Sequence, residues 1–161
     1  MRQQKSQLEE KIDQLLEQLA SDESYPEHRD VTILRSLPGL GRGFIGTVLS
    51  EAPRALADRD YRALRGLAGI APVTKQSGKT KLVTMRQACN RRLRVALHHS
   101  TTVHIQHDAR ARRQYAQLRH KGHSHGRAIR GVADRLLALM IVMLKQQTTY
   151  DPERRKIATA A

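Results

Sequence analysis

The chain has 161 residues, 39% of them apolar, with no Trp and one Phe, so its core must come from Leu, Ile, Val and Ala, which suits packed helices better than a large sheet. A formal net charge of +14 excludes no fold but directs the partners toward polyanions, and a single cysteine, Cys89, excludes an internal disulfide and fits a cytosolic chain. The longest apolar run, Leu136 to Leu144, is too short to cross a bilayer, and the polar stretch Gln3 to Lys11 gives no signal-peptide pattern, so no membrane partner is expected.

In chain order, residues 5–20 read as one amphipathic helix. Leu8, Ile12, Leu15 and Leu19 recur at heptad-like steps of four, three and four. One helix cannot bury such a stripe alone. Its partner is either the rest of the domain or a second copy, and self-association through residues 5–20 is the expectation. Ser21 to Pro26 is a break. Asp30 is placed to cap a short helix, Val31 to Leu37. Pro38-Gly39-Leu40-Gly41 ends it, Phe44 to Ser50 forms the next helix, and Ala52-Pro53 closes that. Tyr61 to Leu67 makes another, capped by Asp58 or Asp60.

Val73-Thr74 and Leu82-Val83-Thr84 flank Gln76-Ser77-Gly78-Lys79, the pattern of a small β-hairpin. From Arg86 the chain reads as helical again, with Leu93, Ala96, Leu97, Ser100 and His104 on one face. Ala109 to Lys121 is a very basic helix with Tyr115 and Leu118 inward, broken at Gly122. Ser124 caps the last helix. Its stripe of Ile129, Val132, Ala133, Leu136, Leu137, Met140, Ile141 and Leu144 is wide enough to centre the core. The expected fold is mainly α, with a helix-hairpin-helix element at 31–52, packed helices and one small β-hairpin, preceded by a coiled-coil-like helix. Residues 1–24 are read as that coiled-coil-like helix, 25–155 as the domain, and 156–161 as a frayed tail.

Four constellations bear on chemistry. The glycines Gly39 and Gly41 allow a tight turn whose amides face outward at a helix N-terminus, where they and Arg42 can hold a phosphate; an ordinary helical corner has the same residues. Residues 75–135 carry 15 Lys/Arg against Asp108 and Asp134, including Lys75, Lys79, Lys81, Arg91, Arg92, Arg94, Arg112 and Arg113. A net +13 over 61 residues repels itself unless a polyanion offsets it, and the preference for Arg suits phosphate oxygens. Interleaved aromatics are nearly absent, which argues against base stacking on single strands. Ser77, at a glycine turn among lysines, has the make-up of a nucleophile toward a phosphodiester, and equally of a plain hairpin turn. The histidines, among them His98, His99, His104, His107, His120, His123 and His125, lack cysteines or a nearby carboxylate. They read as polar-face residues that gain charge as pH drops, not as a metal site. Cys89 reads as a small buried residue near a helix start.

Charge is unevenly placed. Residues 1–30 hold four Lys/Arg and eight Asp/Glu, whereas residues 31–161 hold 25 and seven.

The ordered set Leu34 to Gly41, Gly66 to Val73, Gln76 to Lys79, Asn90 to Arg94, Tyr115 through Gly122, and the closing helix to Tyr150-Asp151 resembles the DEDD-type insertion-sequence transposases, bridge-RNA-guided recombinases, over nearly the whole chain. Residues 1–24 resemble the end of that family's coiled coil. The resemblance implies a serine-bearing C-terminal transposase domain in which Ser77 attacks a DNA phosphate and forms a phosphoserine link, with Lys79 and Arg94 as phosphate partners. It implies DNA and a guide RNA as partners. It also implies an N-terminal RuvC-like domain whose four acidic residues hold Mg²⁺. That half is not in this sequence, so no cofactor is expected in this chain, and the chain alone is expected to be inactive in strand transfer. Cys89 stands where the family often has glycine. Two further readings remain open: a catalytically inactive DNA- or RNA-binding remnant, and a free-standing structural protein unrelated to mobile DNA.

Overall fold

The structure, a computed structural model, describes residues 2–21 and 28–153, with the backbone alone for Arg2 and His28. The expected break at 22–26 and the tail at 156–161 lie outside the described residues. Eight helices and one two-stranded sheet are described, so the chain is mainly α with a single small hairpin.

Helix α1 (Arg2–Ser21) packs on α2 (His28–Ser36) and α3 (Arg42–Glu51). Its inward face centres on Leu16, with Leu19 and Ala20 half-buried. The rest of the heptad stripe looks outward: Leu8 is 63% exposed, Leu15 52% and Ile12 38%.

Asp30 does not cap α2, which starts two residues earlier. Its buried carboxylate instead accepts both Arg59 nitrogens, at 2.6 and 2.8 Å, and a bond from Gln147 at 3.3 Å. A carboxylate out of water needs such paired donors more than a cap does.

Pro53 ends α3 and also opens a further short helix, α4 (Pro53–Ala57), as suits a residue with preset φ and no amide to satisfy. Of the two candidate caps for α5 (Tyr61–Leu67), Asp60 serves, accepting from the Arg62 and Ala63 amides at 2.8 and 3.0 Å. Strands β1 (Pro72–Ser77) and β2 (Thr80–Met85) pair antiparallel, Ser77 opposite Thr80.

Helix α6 (Arg91–His107) begins five residues later than the sequence suggests, because Asn90 caps it through the Leu93 amide at 3.0 Å. Helix α7 (Ala109–His120) is capped by Asp108, whose other oxygen takes the Tyr150 hydroxyl. Burial pushes the Asp108 carboxyl up, but these bonds and the charge of His104 outweigh it and hold it below its ordinary value.

Helix α8 (His125–Gln146) is capped by Ser124 and runs through the middle of the fold. Leu137, Met140, Ile141 and Leu144 join Val31, Leu34 and Leu37 of the α2 segment, Ile45 and Val48 of α3, Leu64 of α5, and Leu93 and Leu97 of α6 in one buried cluster. Each fully buried Leu or Ile contributes roughly 1.5–3 kcal/mol. Asp134 ties α5 to α8, accepting two Arg65 nitrogens at 2.6 and 2.9 Å and the Tyr61 hydroxyl at 2.6 Å.

Candidate nucleic-acid interface

The hairpin is almost wholly exposed along both strands. Its two-residue loop, Gly78-Lys79, has positive φ only at Gly78 (+55°), the requirement of a II′ turn. Alternation then sorts the cations. Ser77, Lys75, Thr80 and Leu82 share one face, while Lys81 lies with Gln76 on the other, and Lys79 sits in the loop. Ser77 therefore has Lys75 as a same-face neighbour but not Lys81. No side chain among the described residues hydrogen-bonds its hydroxyl.

The base of the hairpin is held firmly. Ile70 and Ala71 amides donate to the Arg65 carbonyl, and the Asn90 amide donates to that of Leu67. Arg94 is half-buried here: it donates to the Arg86 carbonyl and lies so close to Gly69 that a Cβ there would stand 2.7 Å from its Nη2. The Nε atoms of Arg86 and Arg94 are buried without hydrogen-bond partners among the described residues. Arg94 thus lies at the root of the hairpin, away from Ser77 at its tip.

The α2–α3 turn is the second feature. Gly39 has φ +90° and its backbone presses on α6, where a Cβ would stand 2.5 Å from the His104 amide nitrogen. The buried His104 ring meets the Pro38 carbonyl at 2.6 Å. Gly41 caps α3 without a side chain, and the Arg42 and Gly43 amides donate to no backbone acceptor among the described residues. An exposed, uncapped N-terminus of this kind suits an anion. Arg42, however, turns toward α1 and donates to Asp13 at 2.5 Å and Glu9 at 3.0 Å. The bond to Asp13, then its charge, raises the Arg42 pKa further.

Between this turn and α6 runs a groove of about 1070 Å³, with Leu40, Phe44 and Val95 in its wall and Arg35, Arg91 and Arg92 along it. Arg91 and Arg92 occupy the first turn of α6, the positive end of its dipole, where cations are unfavourable unless an anion offsets them. Glu51 supplies one, accepting from Asn90 at 2.6 Å and Arg92 at 3.2 Å; those two bonds hold its carboxyl below the usual range.

A second groove, about 960 Å³, lies between α7 and α8, with Arg110, Arg113 and Arg135 beside Gln114 and Gln117. Arg112 instead reaches back to the Ile105 and Gln106 carbonyls at the end of α6. Across 75–135, Arg92 is the one Lys or Arg in an ion pair with a carboxylate among the described residues, and its partner, Glu51, lies outside the stretch; of the two acids within it, Asp108 is a cap and Asp134 is taken by Arg65.

His98 is held below its ordinary pKa by burial first, then by His99 and His125. The His125 ring meets the Tyr115 hydroxyl at 2.7 Å. Cys89 is half-buried beside Gly69. No group of three or more His, Cys, Asp or Glu among the described residues is placed to hold a metal ion. None of the described helices is long and apolar enough to cross a membrane.

The sequence brought forward Ser77, the lysines and the turn glycines, but not Arg35, which only the packing of α2 carries to the mouth of the first groove. Nor did it foresee that Arg35 and Arg42 meet carboxylates of α1. Residue spacing within each helix holds no record of which helices face one another.

The family model described as "Transposase IS116/IS110/IS902 family" matches residues 31–116, which contain the α2–α3 turn, the hairpin and α6. The chain is 34% identical over 137 residues to the insertion element IS900 uncharacterized 42 kDa protein of Mycobacterium paratuberculosis, covering 81% of this chain and 33% of that one. It is 33% identical over 139 residues to the "Mini-circle putative transposase for IS117" of Streptomyces coelicolor, covering 84% and 33% respectively. The chain thus spans about a third of the length of these relatives. It belongs to the IS116/IS110/IS902 family of transposases.

Proposed function

We propose that this chain is the nucleic-acid-binding, serine-bearing C-terminal part of a transposase, acting in DNA transposition and recombination with a RuvC-like domain. The observation that carries the reading is the charge left without counter-ions. Of the 15 Lys/Arg in 75–135, Arg92 alone pairs with a carboxylate among the described residues; Lys75, Lys79 and Lys81 stand on the exposed hairpin, and Arg91, Arg110, Arg113 and Arg135 line grooves. A surface charged in this way attracts phosphates at a distance and gains from releasing their counter-ions.

In this reading Lys75, Lys79 and Lys81 on the hairpin, Gly39, Gly41 and Arg42 at the helix-hairpin-helix turn, Arg91 and Arg92 on α6, and Arg113 on α7 contact DNA or a guide RNA. Arg94 and Arg112, both engaged with carbonyls, act mainly by holding the hairpin root and the α6–α7 corner. Ser77 is the nucleophile: its oxygen bonds to a DNA phosphorus, the 3′ or 5′ sugar oxygen leaves with the electron pair, and the serine proton passes to solvent or to a base of the RuvC-like part. Lys75, on the same face, stabilises the charge that develops on the phosphate. Metal-assisted steps belong to the RuvC-like part, with its own acidic residues and Mg²⁺. The outward stripe of Leu8, Ile12 and Leu15 supports self-association through a coiled coil. A protein with these partners works in the bacterial cytoplasm, on the nucleoid when bound.

The Ser77 hydroxyl, which no side chain among the described residues hydrogen-bonds, favours a second reading, in which this chain alone binds nucleic acid without cutting it. The two separate in one experiment. The chain is combined with a RuvC-bearing relative, guide RNA and end-labelled element DNA, and protein–DNA adducts are resolved on denaturing gels. A covalent adduct lost in Ser77→Ala supports the nucleophile. Its absence with a partner proven active leaves the binding reading alone.

A further inference from the structure

The structure joins two features that the family match does not explain: an acidic first helix and an anion-ready turn whose cation is already occupied. Glu9, Asp13 and Glu17 recur at steps of four, so they stand in a row on one face of α1, about 6 Å apart along its axis. Glu9 and Asp13 both take Arg42, and Glu17 takes Arg35 at 2.7 Å. Arg42 belongs to the first turn of the ten-residue α3, beside amides that donate to no backbone acceptor. Arg35 stands at the mouth of the groove that continues to Arg91 and Arg92.

We propose that this carboxylate row is a built-in competitor for nucleic acid, occupying Arg35 and Arg42 as a run of strand phosphates would. The proposal rests on the nucleic-acid reading above. A nucleic-acid backbone presents evenly spaced anionic oxygens, and so does this face of α1. The competitor is weakly held: its ion pairs are surface pairs, of the kind that contributes little in water, and Leu16 is its one fully buried large side chain among the described residues. The charge layout agrees, an acidic first 30 residues against a strongly basic remainder. Binding at the turn therefore exchanges Glu9, Asp13 and Glu17 for phosphates, and the arm sets a threshold that a short or weakly charged ligand does not pass.

The test uses the full chain and a labelled mixed-sequence DNA duplex, with anisotropy titrations at several salt concentrations. The variant E9Q/D13N/E17Q is compared with a charge-matched E10Q/D58N/D151N, which lies outside the row. The row variant is expected to bind about fivefold or more tightly than the matched control at low salt, with a salt slope steeper by roughly one to two phosphates. Arg42→Ala is expected to lower affinity several-fold more in the row variant than in the natural chain. Equal affinity of the two neutralised variants overturns the proposal, as does a loss on Arg42→Ala that is as large in the natural chain as in the row variant. If the natural chain binds with strong salt dependence and the variants do not differ, only this inference fails. If none of them binds DNA, the nucleic-acid reading falls with it.

Discussion

Gly39 shows how one residue fixes the geometry of the candidate interface. Its φ of +90° disfavours any side chain, and the space its Cβ needs is filled by the backbone of His104, which cannot swing aside as a flexible side chain would. Gly39→Ala is expected to cost about 2–4 kcal/mol, combining left-handed strain with displacement of α6. Urea unfolding should show a lower midpoint with an unchanged slope. An unchanged midpoint would mean that the turn does not seat on α6. The glycine was legible as a turn residue in Pro38-Gly39-Leu40-Gly41; the reason for it was not. Sequence suggests amides facing a phosphate, whereas the structure uses Gly39 for close packing and leaves the anion-ready amides to Arg42 and Gly43. Asp30 teaches the same lesson. Its place before an apolar run looks like a cap, but Arg59, 29 residues on, makes a better partner for a buried carboxylate.

At the scale of elements, period and caps made most helices legible: the stripe of α8, its Ser124 cap, the turn at Gly122 and the hairpin all follow from local pattern. The start of α6 did not, since Arg86 to Cys89 are compatible with a helix and only the Asn90 cap, seated on Glu51 of another helix, fixes the boundary. Contacts between elements far apart in sequence are the illegible part. The tie between α5 and α8 is one such contact, and it has a pH signature. Burial, then the bond to Asp134, pushes the Tyr61 phenol from 10.0 up to about 12. Because the native value is raised, the stability it contributes is complete below pH 10 and is lost as pH rises through about 12. Tyr61→Phe is expected to lower stability by about 1 kcal/mol at neutral pH. It should also flatten the alkaline decline in melting temperature between pH 10 and 12. A decline of the same steepness in the variant would place its cause elsewhere.

For the whole molecule, the question is where an excess of positive charge goes. The acids of the body are spent on architecture: Asp30 on Arg59, Asp134 on Arg65, Asp108 on a cap and Tyr150, Glu51 on Asn90 and Arg92. That leaves most cations of the hairpin, α6 and α7 without a carboxylate partner among the described residues, while outside α1 itself its acids pair there with Arg35 and Arg42. In the proposed function this surplus binds nucleic acid, and the affinity of the full chain for a DNA duplex as a function of salt tests that most directly. Log K is expected to fall linearly with log salt at a slope of about −3 or steeper, unchanged by Ser77→Ala. An affinity that scarcely varies with salt, or no binding at low salt, would contradict it.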